Sequence, residues 1–272
     1  MLTKIKQYSL QHSIEIIDSI IKPDSTYIIM KLINNNLEQL MGREGIDWKN
    51  IFYQLCVGVA ELHNIDILHS DLKPSNILIT NDYHVLIADF GLARTYSRIT
   101  NGLPYEKIGT LPYRAPEIFF GGDITSATDI WSLGTILYQI YLIMGKKSYY
   151  PFGRKGFTEK QIVKDIFKYI GIPSDENWPR IHTLPEWKKY KYLTRKVRNT
   201  EEQTYIDELT TLNIDNNIID LIGKMLILNP AERPTIYEVL QHSFFNNNLV
   251  KSVTMINCLD SLKSDLYYPS NI

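Results

Sequence analysis

The run His69-Ser70-Asp71-Leu72-Lys73-Pro74-Ser75-Asn76 carries a carboxylate, a cation and an amide close together, and a second carboxylate follows in Ala88-Asp89-Phe90-Gly91. Asp and Asn supply the oxygen atoms that hard divalent cations take as ligands, an Asp beside a hydroxyl can take its proton, and Lys offers positive charge to an anion. Phosphoryl transfer asks for all three: a hydroxyl in line, neutralised phosphate charge, and metal ions held by oxygen. Taken singly, each Asp is more often a loop residue that caps a turn. Order and spacing weigh against that reading, with 18 residues from Asp71 to Asp89 and 28 from Asp89 to Glu117 of Ala115-Pro116-Glu117.

This series closely resembles the catalytic loop, metal-binding turn and activation-segment end of eukaryotic protein kinases. The resemblance implies ATP and Mg²⁺ as cofactors, Asp71 as acceptor of the substrate hydroxyl proton, Asn76 and Asp89 as metal ligands, and Lys73 steadying the γ-phosphate. Lys73 stands two residues after Asp71, as in kinases of Ser and Thr. Met30 and Leu32 fall where such kinases enter the hinge, and Leu78 where they floor the adenine, although core packing explains these apolar residues equally well. The implied fold is α+β, protein-kinase-like, with a mainly helical C-terminal lobe and a truncated small N-terminal lobe.

Further matches extend the resemblance. Asp129-Ile130-Trp131-Ser132-Leu133-Gly134 looks like the start of the family's central helix, and Arg233 falls where the family pairs an Arg with Glu117. Thr110-Leu111-Pro112-Tyr113-Arg114-Ala115-Pro116-Glu117, with Gly171-Ile172-Pro173 and Trp178-Pro179, is similar to the cyclin-dependent kinases. In that group an Arg placed as Arg114 occupies a carbonyl near the residue after the phosphoacceptor. A substrate N–H there loses its acceptor, and an unpaired buried donor is costly, whereas Pro has no N–H. Gly109 falls where the group bends its backbone, though an ordinary turn also uses Gly. Protein substrates with Ser/Thr-Pro sites are the implied partners, with a cyclin or another kinase as further ones.

Two departures limit the match. The family's ATP lid uses G-x-G-x-x-G, then a strand Lys held by a helix Glu. The 14 glycines here include no G-x-G pair, and Thr3-Lys4-Ile5-Lys6 is followed by too few residues to hold that helix. Residues 1–12 are therefore expected to be the last turns of the helix, giving three parts: 1–32 as a small-lobe remnant, 33–245 as the large lobe, and 246–272 as a tail. Ser70 also replaces the usual Arg that receives an activating phosphate, and Tyr105 stands at the usual Thr, which is consistent with control lacking that latch. The alternative function is a pseudokinase or inactive fragment acting as an interaction scaffold.

Positioning these residues falls to elements legible by period. Ile14 to Ile17 and Tyr27 to Met30 read as a hairpin around Lys22-Pro23-Asp24-Ser25. Asp47 to His63 reads as a core helix capped by Asp47; Ile77 to Ile79 and His84 to Ile87 read as short strands. Helices are expected at Ser126 to Met144, Thr158 to Ile170, Asn216 to Leu228 and Thr235 to Phe244. A net charge of -1 gives no general field toward nucleic acid or an anionic membrane, and no apolar run suits a membrane span. Cys56 and Cys258 are too few and too far apart for a disulfide framework, so the expected compartment is cytoplasmic or nuclear. Lys188, Lys189, Lys191, Arg195, Lys196 and Arg198, interleaved with Tyr190 and Tyr192, can dock an anionic partner, but such a run is more often a solvated insert.

Overall fold

The computed structural model describes residues 10–95, 108–147, 151–153, 156–198 and 204–245, together with Ile5, Gln7 and Tyr8, which are helical. Tyr105, Lys4, Lys6, Cys258 and the tail expected at 246–272 lie outside the described residues. The fold is α+β, with three small antiparallel sheets among the described residues and a helical body. No helix among the described residues is long and apolar enough to cross a membrane.

Strands β1 (Ile16–Ile21) and β2 (Thr26–Met30) form the expected hairpin, closed by the Lys22 N–H donating to the Ser25 carbonyl at 2.7 Å. The first strand starts later than expected because Ile14 is used elsewhere. Its N–H donates to the Ile87 carbonyl at 2.8 Å, and its side chain is buried in the core. Next come β3 (Asn35–Asn36), α1 (Leu37–Leu40), α2 (Trp48–Asn64), β4 (Ile67–Leu68), β5 (Ile77–Ile79), β6 (Val85–Ile87) and β7 (Arg94–Thr95). Strand β5 lies between β3 and β6, while β4 pairs with β7.

Helix α2 forms because Asp47 accepts from the Asn50 N–H at 3.0 Å and because Ile51, Phe52, Leu55, Cys56, Val59 and Leu62 share one buried face. After α3 (Pro116–Phe120), the central α4 (Ser126–Met144) is buried on all sides from Thr128 to Leu142. Gly134 lets the helix Asn216–Met225 cross it closely, since a Cβ there would lie 2.8 Å from the Met225 Cβ. Helices α5 (Glu159–Tyr169), α6 (Trp187–Tyr190), α7 (Leu193–Arg198), α8 (Tyr205–Thr211), α9 (Asn216–Met225) and α10 (Ile236–Leu240) complete the body.

Two helices end before their apolar pattern does. Helix α9 stops at Met225 because the carbonyls of Ile227 and Leu228 turn to accept from Arg233 at 2.7 and 3.0 Å. Helix α10 stops at Leu240, and Phe244 and Phe245 continue as a turn whose rings pack on each other at 4.8 Å, with Phe245 on Tyr53 at 5.4 Å.

Candidate active site

The loop between β4 and β5 is held from below by Asp129, the first acidic residue of α4. Its carboxylate accepts the N–H groups of His69 and Ser70, each at 2.9 Å, and contacts His63 Nε2 at 2.9 Å. Burial alone would raise the Asp129 pKa, but the hydrogen bonds with His63 and the Ser70 N–H hold it below the usual carboxylate range. His69 is fully buried and its pKa is pushed down by that burial. Nδ1 accepts the Asp71 N–H at 3.3 Å, so the ring proton sits on Nε2, which donates to the Ala88 carbonyl at 3.0 Å. Ser70, φ 64°, and Asp89, φ 62°, both take the left-handed backbone that non-glycine residues rarely adopt. Such strain is typical of functional turns.

Asp71, Lys73 and Asn76 converge. Lys73 Nζ donates to Asp71 Oδ2 at 2.8 Å and to Thr110 Oγ1 at 2.9 Å, while the Thr110 hydroxyl donates to Asp71 Oδ1 at 2.7 Å. Asn76 Nδ2 donates to the Asp71 carbonyl at 3.0 Å, which leaves Asn76 Oδ1 as the atom available to a cation. The Ala88 N–H donates to the Asn76 carbonyl at 2.9 Å, bringing Asp89 next to the same cluster. Asp89 is exposed, and one of its oxygens accepts the Gly91 N–H at 3.3 Å, leaving the other toward solvent. Leu78 is half-buried on β5. Met30 and Leu32, by contrast, are 44% and 85% exposed, so their placement against an adenine rests on the resemblance alone.

Downstream of the loop, Arg114 Nη2 donates to the Gly109 carbonyl at 3.0 Å, and Nη1 pairs with Glu159 at 2.7 Å. Gly109 takes φ 70°, the left-handed region that favours glycine. The Arg233–Glu117 pair is almost fully buried and bidentate, at 2.8 and 2.7 Å. The remaining guanidinium donors go to the carbonyls of Ala127, Ile227 and Leu228, so every N–H of Arg233 is used. Where the family places its phosphate-receiving Arg, Ser70 is buried with its Oγ unpartnered among the described residues.

Three residues gained a role only in three dimensions. Thr110 bridges Asp71 and Lys73; the sequence signal available was its place at the head of Thr110-Leu111-Pro112-Tyr113-Arg114. Asp129 anchors the loop from 58 residues beyond Asp71. Arg94 is 5% exposed, with Nη1 unpartnered and Nη2 donating to the Leu92 carbonyl at 3.3 Å; nothing in the sequence marks it as buried.

The comparisons with known proteins agree with the fold. Residues 2–245 match the protein kinase domain family. The chain is 33% identical over 244 residues to Cell division control protein 2 homolog 3 of Trypanosoma brucei brucei, covering 86% of this chain and 73% of that protein. The crystal structure of the yeast RNA Pol II CTD kinase CTDK-1 complex is similar with a TM-score of 0.73 at 25% identity, over 91% of this chain and 82% of that one. With its catalytic-loop cluster and these relatives, the chain belongs to the protein kinase domain family, as a cyclin-dependent-kinase-like Ser/Thr kinase.

Proposed function

We propose that the chain transfers the γ-phosphate of ATP to Ser or Thr of protein substrates at sites followed by Pro. The observation that carries this reading is the Asp71–Lys73–Thr110 triangle: a hydroxyl already donates to Asp71 at 2.7 Å with a lysine cation 2.9 Å from the same oxygen. A substrate hydroxyl in that setting meets its base and a counter-charge together. A cavity of about 370 Å³ bordered by Lys73, Ser75, Thr110, Tyr113 and Phe157 lies beside it and suits an extended substrate segment.

The donor set fits Mg²⁺. Asn76 Oδ1 and Asp89 would hold the ion, and no group of three His, Cys, Asp or Glu among the described residues offers a closed protein cage. Mg²⁺ is usually held by one or two carboxylates and completes its shell with phosphate oxygens and water. Bound there, it supplies neutralisation of phosphate charge. Lys73 adds a second cation, and Arg114 occupies the Gly109 carbonyl so that a following Pro is favoured over residues carrying an N–H. Protein substrates and a cyclin are the partners this reading expects; localisation in cytoplasm or nucleus goes with it.

A peptide library with ATP and Mg²⁺ tests acceptor choice: Ser/Thr-Pro is preferred and Arg114→Ala relaxes the Pro preference. Tyr as acceptor, or indifference to Pro, overturns it. The scaffold reading is favoured by the absent G-x-G segment and by the exposed hairpin. On that ground the 272 residues alone are expected to bind nucleotide weakly and to work orders of magnitude below an ordinary kinase rate of roughly 1 s⁻¹. An ordinary rate that disappears in Asp71→Asn would show that another cation replaces the strand Lys.

A further inference from the structure

Residues 156–198 contain ten Lys and Arg against five Asp and Glu, in a chain whose net charge is -1. The excess is therefore local. Trp187 and Tyr190 are buried around Phe120, at ring distances of 5.1 and 5.7 Å, so the segment is a packed platform rather than a loose insert. Of its five acidic residues, Glu159 is already engaged by Arg114, Lys189 and the Tyr190 hydroxyl, and Asp175 by His182.

On the outer side, two elements bring like charges to one ring. Lys160 of α5 and Lys196 of α7 lie 5.8 and 5.4 Å from the centroid of Tyr192, which is 40% exposed. Lys164 stands one turn beyond Lys160 on the same helix face, a like-charge spacing that is mildly destabilising in isolation. Lys188, Lys191 and Arg195 are exposed close by in sequence. Among the described residues none of these cations forms an ion pair, whereas Lys73, Lys224, Arg114 and Arg233 all do.

We propose that this face, centred on Lys160, Tyr192 and Lys196, is a docking site for an anionic peptide segment of a protein partner, rich in Asp and Glu or phosphorylated. Charge complementarity names the occupant: several unpaired ammonium groups answer a run of carboxylates or a phosphate, and the exposed ring covers the peptide's apolar stems. Association is salt-dependent, because the groups are exposed and the screening length is about 8 Å at physiological ionic strength. None of Lys160, Tyr192 and Lys196 lines the cavity beside Lys73, and binding here does not require phosphoryl transfer.

The test is fluorescence anisotropy with three labelled peptides of equal length, one carrying an Asp run, one phosphoserines and one neutral residues, at low and physiological salt. The anionic peptides bind and the neutral one does not; whichever anionic peptide binds tighter names the partner's chemistry. Lys160→Glu with Lys196→Glu weakens binding by roughly tenfold or more, the weight of two exposed charge pairs. The same charge change made elsewhere, Lys22→Glu with Lys49→Glu, leaves it intact. Lys160→Gln with Lys196→Gln guards against misfolding of the reversal and weakens binding in the same direction. Equal binding of neutral and anionic peptides, equal loss in the two reversal variants, or tighter Lys160-dependent capture by anionic vesicles or RNA than by peptide overturns the proposal.

Discussion

The body around α4 and the hairpin of β1 and β2 draw on the same residue type, isoleucine, and put it to opposite ends. Ile130, Ile136 and Ile140 are at most 2% exposed, while Ile17, Ile20 and Ile21 are 54%, 47% and 80% exposed. Every residue of β2 is exposed as well. Apolar surface stabilises only when it leaves water, at about 25 cal/mol per Å², so what separates the regions is the presence of a covering element. In the body, α2, α9 and the turn at residues 230–232 close over α4. Among the described residues, β1 and β2 pair only with each other, and a two-stranded ribbon of this kind is marginal in water.

The comparison is broken most directly at the buried ion pair. Glu117→Ala strands the Arg233 guanidinium in the core and is expected to cost about 3–5 kcal/mol, read from urea unfolding. A loss below 1 kcal/mol would mean that the body tolerates an unpaired buried charge. Gly134→Ala comes next: added atoms at the α4–α9 crossing meet Met225 and Leu226, and overpacking of this kind costs roughly 1–3 kcal/mol. Thermal midpoints of the two variants should rank in that order.

A smaller effect tests the loop anchored between them. Burial lowers the His69 pKa, so between that folded value and the ordinary 6.5 the unfolded chain binds a proton that the folded chain refuses. Stability present above pH 6.5 is therefore lost as pH falls below it. His69→Gln should flatten part of that slope in a thermal-shift series from pH 8 to 5; an unchanged slope would place the titration elsewhere. The smallest effect belongs to the hairpin. Ile21→Thr is expected to change stability by less than about 0.5 kcal/mol, and its strand amides to exchange faster than those of α4. Protection equal to α4 would show that something covers β1 and β2.

Residue type and order made the family resemblance legible, and the resemblance implied the chemistry. Asp71, Lys73, Asn76 and Asp89 sit in short polar segments beside apolar strands, and their order survives without any knowledge of packing. The long helices were legible too, because α2 and α4 announce themselves through caps and apolar content over many turns. Element ends were less so: the start of β1 and the end of α9 depend on whether Ile14 or Arg233 claims nearby backbone groups, and those partners are remote in sequence.

The sequence by itself determined which residues were candidates for phosphate, metal and proton, since their types and order carry the resemblance to protein kinases. It also determined the dominance of helix after residue 33, through periodicity. Only the tertiary structure decided that Thr110 would complete the Asp71–Lys73 pair, that Asp129 would hold the loop from beneath, and that Lys160 and Lys196 would meet over Tyr192. Each of these is a contact between segments far apart along the chain. Local propensity carries no information about such a meeting, which is set by how buried faces pack.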